Sequence, residues 1–531
     1  MSFLSILSLC LSDWISILSA LLVIYVSHFY YKYFTRPNPL PGPIPIPIFG
    51  TLHIIGINPR VWYIKNIEKA GSVWEFYIGH ERNIVVNNIN YAEKLCKPSK
   101  RIFKRLPFPA FERIGLNHGI FFNNEYNSWH KRRRLVIRAL SAPKFLRGLV
   151  ISVQNTFKES ENIWEKSNLN GGIEFDFSKW IRCFLTDIST LQTTKQRSYS
   201  VATLNPNNDL VQSEDIKNAL KFSAAAKKFS DSLGFFAFVP PFMQDYVPGF
   251  THYRKSCERN IMFLNGIVDN IINKRRKELD EGAELDSDLL DHLLIAHTLK
   301  DPDSDNVENV ASISAKEVSV LTWDILLAGT DTTGNAFSFL IYFVAKHPNV
   351  LAKIHQEIDK VLGPDPTVEF TFENIDNCHY IEAMVKESLR YILMVPYTVK
   401  LSEECENIAG YDWPIGTKFW IDHHSLCHNP DIWDDPETFN PDRFLSKNHD
   451  GSSEISDSQK ITFAPFGCGL RGCAGKFVAL TLLKTMTVML FRKYNIELVK
   501  KDEMIKYRYT ALNKVYDLNI RISLRDASSS S

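Results

Sequence analysis

The sequence has almost no net charge: 61 Lys and Arg stand against 60 Asp and Glu, a formal +1 over 531 residues. That balance removes the electrostatic argument for a nucleic-acid partner. A cysteine framework is also missing, since nine cysteines scattered from Cys10 to Cys473 are too few and too irregular for a secreted disulfide scaffold. A reducing compartment fits them better. No internal repeat is present, and the length with 45% hydrophobic content allows one large core or two domains.

Charge is absent locally as well. From Trp14 to Tyr31, 18 residues contain no Lys, Arg, Asp or Glu, and as a helix at about 1.5 Å per residue they would span roughly 27 Å. That is enough for a bilayer core. No Lys or Arg precedes this run, as a cleaved signal would require, whereas Lys32 and Arg36 follow it. The expectation is a retained single-pass anchor over residues 1–36, with the body of the chain in the cytosol. The run Pro37–Pro47 carries six prolines and reads as a stiff extended hinge over 37–50. Residues 51–524 then form the body, and the Ser-rich residues 525–531 read as a disordered tail.

Most of the chemistry is concentrated near the C-terminus. In Phe463-Ala-Pro-Phe-Gly-Cys-Gly-Leu-Arg-Gly-Cys-Ala-Gly475, four glycines and a proline precede an apolar run from Phe477 to Phe491. The backbone can make a tight loop there and deliver Cys473 to a helix N-terminus, where free N–H groups and the helix dipole favour a thiolate. A buried structural cysteine seldom needs such surroundings. Cys468 and Cys473 also show a C-x4-C spacing, but no third cysteine follows to complete an iron–sulfur pattern.

Upstream, Trp129 and Arg133 lie four apart on one helix face, where an indole N–H and a guanidinium together make a carboxylate clamp. Lys131, Arg132 and Arg134 remain as a basic patch. A long helix is predicted from Ser319 to His347, ended by Pro348. Its centre, Ala328-Gly329-Thr330-Asp331-Thr332-Thr333-Gly334, is a poor helix sequence that should open locally, and its Asp needs a partner or a task. Glu387 and Arg390 are three apart on a further helix, and alone would contribute only tenths of a kcal/mol.

Elsewhere, Val73–Val86 reads as a β-hairpin around Gly79-His80-Glu81-Arg82, followed by a helix from Tyr91. Phe103–Phe122 reads as an irregular apolar loop of the kind that walls a ligand pocket. Residues 198–215 and 446–460 read as polar surface segments. The run Phe235–Phe242, strongly apolar yet broken by two prolines, could be core on its residues alone; the membrane-facing reading of it is one that a family resemblance implies.

Taken together, the spacing Phe466-x-x-Gly469-x-Arg471-x-Cys473-x-Gly475, the Trp129/Arg133 pair, the Ala-Gly-x-Asp-Thr-Thr segment, Glu387-x-x-Arg390 and the Pro-rich segment resemble, in order, the motifs of the cytochrome P-450 family. The resemblance implies a mainly α fold with small β-sheets, a long central oxygen-site helix over a haem, and the cysteine loop on the proximal side. It implies haem b held through Cys473 as iron ligand, with Phe466 near the sulfur, Gly475 in the loop, and Arg471, Trp129 and Arg133 toward the propionates. Ala328 and Gly329 would flank the oxygen pocket, Asp331 would relay protons and Thr332 would direct them. Glu387, Arg390 and Arg443 would form a structural charge network. The commonest family pattern has a proline and an arginine where this chain has Leu393 and Lys400, which leaves propionate pairing by that segment in question.

The activity so implied is monooxygenation of a lipophilic small molecule (sterol, fatty acid, terpenoid or xenobiotic), with electrons from NADPH through a cytochrome reductase docked on the basic patch. Cytochrome b5 is a second implied donor, and an endoplasmic reticulum membrane the implied location, its bilayer flanking the substrate entrance. Two rivals are a haem-thiolate isomerase or dehydratase, which should lack the Asp331-Thr332 pair, and a haem-binding sensor, which needs no reductase-facing patch.

Overall fold

The computed structural model describes residues 3–525 apart from 57, 59, 100–103, 107, 166–171, 205–213, 286–287, 299–312 and 446–455. Much of the polar segments 198–215 and 446–460, residues 103 and 107 of the apolar loop, and the tail after 525 lie outside the described residues.

The first helix, α1 (Phe3–Phe34), includes a stretch, Asp13–Phe34, long and apolar enough to cross a membrane, with mean hydropathy 1.5. Its side chains from Trp14 to Ile24 find no core to enter and stay exposed. Its last turns dock on the body: Tyr25 and Phe29 meet His80, and Tyr33 meets Tyr77 with ring centres 5.8 Å apart. The Pro-rich segment is extended but packed. Glu75 is buried and accepts from both Arg36 and Arg82, while a Cβ on Gly42 would lie 2.0 Å from the Glu75 carbonyl oxygen. Only glycine lets the chain approach that closely.

The expected hairpin is β1 (Val73–Ile78) and β2 (Glu81–Val86), turning at Gly79 with φ +60°. After it come α2 (Ile89–Cys96), capped by the Asn88 side chain, and α3 (Tyr126–Leu140), capped by Glu125. The long helices of the body include α4 (Phe177–Thr194), α5 (Glu214–Phe238), α6 (Ala315–Lys346) and α7 (His379–Tyr391). Two strands, β3 (Tyr397–Leu401) and β4 (Lys418–Asp422), complete a sheet of order β1-β2-β4-β3. In it β2 and β4 run parallel with Asn83 opposite Lys418, and β3 is antiparallel to β4. Helix α8 (Lys476–Lys493) follows the cysteine loop, and β5 (Asn513–Val515) belongs to one of three smaller sheets among the described residues.

Helix α6 runs through the core. It starts at a capping box, Ser314 with Glu317, four residues before the expected start, because a Ser-x-x-Glu signal satisfies the first N–H groups there. It does not open at its centre. Thr330 and Thr332 donate back to Leu326 O and Ala328 O at 3.3 and 2.7 Å within an unbroken helix. Gly334 is a packing glycine, since a Cβ on it would sit 3.4 Å from Leu185 of α4.

The membrane-facing reading of Phe235–Phe242 is corrected by the packing. Phe236 and Phe238 are buried, the first against Phe111 at 4.6 Å and the second against Trp420 at 5.7 Å. Phe235 packs on Phe250 and Tyr253. Only Phe242 of the four is exposed, in a short helix after Pro240 where Tyr246 and Val247 are exposed too. The apolar run therefore ends α5 inside the core.

Candidate functional site

The loop before α8 is shaped by its glycines. Gly467 and Gly469 have φ +72° and +65°, and a Cβ on Gly469 would lie 2.7 Å from the Cys96 carbonyl. Position 469 thus needs glycine for conformation and for space. Phe466 O accepts from Cys473 N at 2.7 Å, closing the loop, and Gly475 caps α8 two residues beyond the cysteine. Cys473 is accessible, yet burial pushes its thiol up against the opposing pull of the Gly475 N–H, Arg133 and Arg105. The expected lowering by the helix terminus is therefore outweighed in the free thiol by desolvation.

The other cysteine of the loop has a separate role. Cys468 is bonded to Cys96 at the end of α2, with Cα atoms 5.2 Å apart across 372 residues of sequence. This one bonded pair stands beside six free cysteines among the described residues, where the sequence led to an expectation of a reducing compartment. α2 and the loop pack in one small core with Leu95, and this brings the two thiols together.

Four cations are gathered beside this loop. Arg471 is buried and donates to Ile120 O at 3.0 Å, to Asn124 Oδ1 at 3.0 Å and to Asn123 O. Arg105 donates to Arg471 O at 2.9 Å, and Arg133 to Gly472 O at 2.5 Å. Lys400, almost fully buried, reaches Cys468 O at 3.3 Å. Burial and then mutual repulsion lower their pKa values: Arg471 to about 8, Arg105 to about 10, and Lys400 to about 7. Arg133 is lowered as well, by burial.

Trp129 is buried among these groups, with the Arg133 and Arg471 guanidinium carbons 5.4 and 4.8 Å from its ring centre. Its N–H, expected to bind a carboxylate, donates to Ile120 O at 3.1 Å instead. Arg132 also departs from expectation, being buried and paired with Glu317 rather than part of an exposed patch. Arg105 and Lys400 were missed as cations of this site; the signal was a charge inside an apolar loop and another inside a strand.

On α6, Ala328 is exposed in a helix whose neighbours Leu326 and Thr330 are buried. A Cβ on Gly329 would meet nothing within 4 Å among the described residues, so this face is open toward them. Asp331 has the partners its setting demands: Lys514 of β5 at 3.3 Å and Arg182 of α4 at 3.9 Å. Lys514 also binds Asp231 and Ser230 of α5, each at 2.7 Å. Away from this face, Arg390 forms a two-pronged bond to Glu387 at 2.7 and 2.9 Å, both fully buried, and Arg443 joins Glu387 at 3.1 Å.

Haem b offers an iron that needs an axial donor, and two carboxylates. Cys473 supplies the donor type, and the cluster of buried Arg471 and Lys400 with half-buried Arg105 and Arg133, each depressed first by desolvation, calls for anions. The residues present therefore fit this group.

Comparison with known proteins agrees. The family model described as cytochrome P-450 matches residues 40–515. The chain is 25% identical over 474 residues to 3,9-dihydroxypterocarpan 6A-monooxygenase of Glycine max, covering 88% of each. It is 23% identical to protopine 6-monooxygenase of Eschscholzia californica, covering 86% of this chain and 85% of that protein. Among solved structures, the crystal structure of the cytochrome P450DA heme domain superimposes with TM-score 0.74 at 22% identity, over 92% of this chain and 98% of that one. That last likeness is one of fold.

Proposed function

Because this chain belongs to the cytochrome P-450 family of monooxygenases, we propose that it inserts one atom of dioxygen into a lipophilic small molecule, a sterol, fatty acid, terpenoid or xenobiotic. The electrons come from NADPH through a partner reductase, with cytochrome b5 as an accessory donor. The observation that carries this reading is the group of four cations around the loop of Cys473, Arg471 and Lys400 buried and Arg105 and Arg133 half-buried.

Haem, when bound, would supply the oxygen chemistry, with the Cys473 thiolate as donor to its iron. The chain does the rest. Cys473 holds the iron, with Phe466 and Gly475 shaping the loop around it. Arg471, Arg133, Arg105 and Lys400 neutralise the haem carboxylates, and Trp129 supports two of the guanidinium groups. Thr332 already donates its proton to Ala328 O, so its oxygen is left to accept a hydrogen bond in the pocket. Asp331, held by Lys514 and Arg182, is the nearest carboxyl in sequence to that hydroxyl and passes protons toward it. Glu387, Arg390 and Arg443 act structurally.

Helix α1 anchors the protein in the endoplasmic reticulum membrane, the basic flank Lys32 and Arg36 keeping the body in the cytosol. Steady NADPH consumption by the purified protein with reductase and a lipophilic substrate, together with a substrate-induced spin-state change across a panel of such compounds, tests the reading. A haem-loaded protein that consumes no NADPH with any of them would instead be an isomerase, a dehydratase or a sensor.

A further inference from the structure

One buried acid of α6 has no part in the site described so far. Asp324 is 5% exposed, one turn before the accessible Ala328. Its Oδ2 accepts from Ile120 N at 2.6 Å and from Phe121 N at 3.1 Å, and its Oδ1 is buried with no hydrogen-bond partner among the described residues. The approach is very close: a Cβ on Gly119 would sit 2.1 Å from Oδ2.

The 120–121 amide, whose N–H is that of Phe121 and whose C=O is that of Ile120, also meets a cation, and the C=O of the next amide meets another. Ile120 O accepts from Arg471 Nη1 at 3.0 Å and from Trp129 Nε1 at 3.1 Å, while Phe121 O accepts from Arg105 Nη1 at 3.4 Å. In the 120–121 amide the carboxylate on the N–H and the Arg471 guanidinium on the C=O polarise the group in one direction, so each bond strengthens the other. Burial pushes Asp324 up to about 7, and the two amides, Arg105 and Arg471 oppose it. Its full negative charge is therefore present only above neutral pH.

We propose that Asp324 is a positioning residue for the haem-carboxylate clamp, fixing residues 120 and 121 from α6 and, through their carbonyls, the guanidinium groups of Arg471 and Arg105. This rests on the haem reading given above. An acid on the distal helix thereby sets the geometry of cations on the cysteine loop, and its charge offsets theirs.

The test uses full-length, haem-loaded protein and follows haem transfer to an excess of an apo-globin acceptor, with the ferric/ferrous potential measured in parallel well above neutral pH, where Asp324 is ionised. Asp324→Ala should lose haem about 10-fold or more faster than the parent, the low end of what removing a supporting partner costs. Asp324→Asn keeps an acceptor for both amides and should retain haem nearly as the parent does, but with a potential shifted positive because the negative charge is gone. Gly119→Ala, which forces the same peptide away from an intact Asp324, should reproduce the fast loss. Should Asp324→Ala fail to load haem, the asparagine and Gly119→Ala results decide. Parent-like retention in Asp324→Ala, or in Gly119→Ala if the first does not load, overturns the inference, as does an unshifted potential in Asp324→Asn. A parent chain that binds no haem overturns the underlying reading instead.

Discussion

Lys514 Nζ lies 3.3 Å from Asp331 Oδ2 and 2.7 Å from Asp231 Oδ1, so one buried ammonium ties the acid of α6 to both β5 and α5. A carboxylate held in this way must leave its partner, or borrow a proton through it, before it can serve the pocket. Asp331→Asn should keep the haem spectrum and lower substrate-dependent NADPH oxidation about 100-fold, the lower end for losing a positioned proton carrier. Lys514→Met should change the pH profile of that rate without changing haem content. Equal rates for Asp331→Asn and parent would remove Asp331 from the proton path.

The two cysteines of the loop separate cleanly. Cys468→Ala should keep the red-shifted reduced carbonyl spectrum of a thiolate haem, and Cys473→Ala should lose it. Because Cys468 is bonded to Cys96 across 372 residues, its replacement should also destabilise the fold by roughly 2–4 kcal/mol, as removing a long cross-link commonly does. Denaturant midpoints with and without a dithiol reductant measure this, and the Cys468→Ala variant should be insensitive to the reductant.

The legible parts of this fold were those set by local rules. The β1–β2 hairpin follows from β-branched runs around Gly79, and the Pro348 stop of α6 from a missing N–H. Glu387 and Arg390 are visible as a spaced pair. What was not legible depends on distant chain. Phe236 looks like a surface phenylalanine until Phe111 is brought against it, and Arg132 looks solvated until Glu317 arrives from the start of α6. Asp324 could be noticed as a charge in an apolar helix, but its partners are the backbone of residues 120 and 121, which sequence does not mark. Lys400 read as a departure from a motif, and its place beside Arg105 and Arg471 shows why a cation there still suits the site.

Lys400 also makes the apoprotein sensitive to pH. Burial and the neighbouring arginines lower it to about 7 from its ordinary 10.5. Between about 7 and 10.5 the unfolded chain binds a proton that the folded chain does not, so stability should rise with pH across that window. Lys400→Met should flatten the rise and stabilise the apoprotein below pH 7, while weakening haem retention by one cation. Unfolding of apoprotein followed from pH 6 to 10 is the check, and a parallel slope in both proteins would exclude Lys400 as its source.

The charge network behind α7 is the most exacting of the structural features. Glu387 and Arg390 are both fully buried, and Glu387 also accepts from Arg443 and from Asn440 N at 2.9 Å. Glu387→Ala strands a buried guanidinium and should cost about 3–5 kcal/mol. Chemical denaturation of the haem-loaded protein should show it as a lowered midpoint with poor haem incorporation, whereas Lys386→Ala next to it should be nearly silent.

Thr332 is expected to govern the fate of oxygen rather than the binding of haem or substrate. Its hydroxyl donates to Ala328 O at 2.7 Å, which fixes the side chain and turns its lone pairs outward, beside the accessible Ala328 and the open face at Gly329. A small molecule or water would find room at Gly329 rather than at Gly334, which is packed against Leu185. Protons that arrive in the wrong place release hydrogen peroxide, and a fixed acceptor prevents this. Thr332→Ala should keep the haem spectrum and the substrate-induced spin change, yet divert much of the NADPH consumed into hydrogen peroxide. Thr332→Ser should retain most coupling, since the hydroxyl and its bond to Ala328 O survive. Peroxide and product measured per NADPH settle the matter: tight coupling in the alanine variant would make Thr332 a helix-packing residue and leave proton delivery to Asp331 and water.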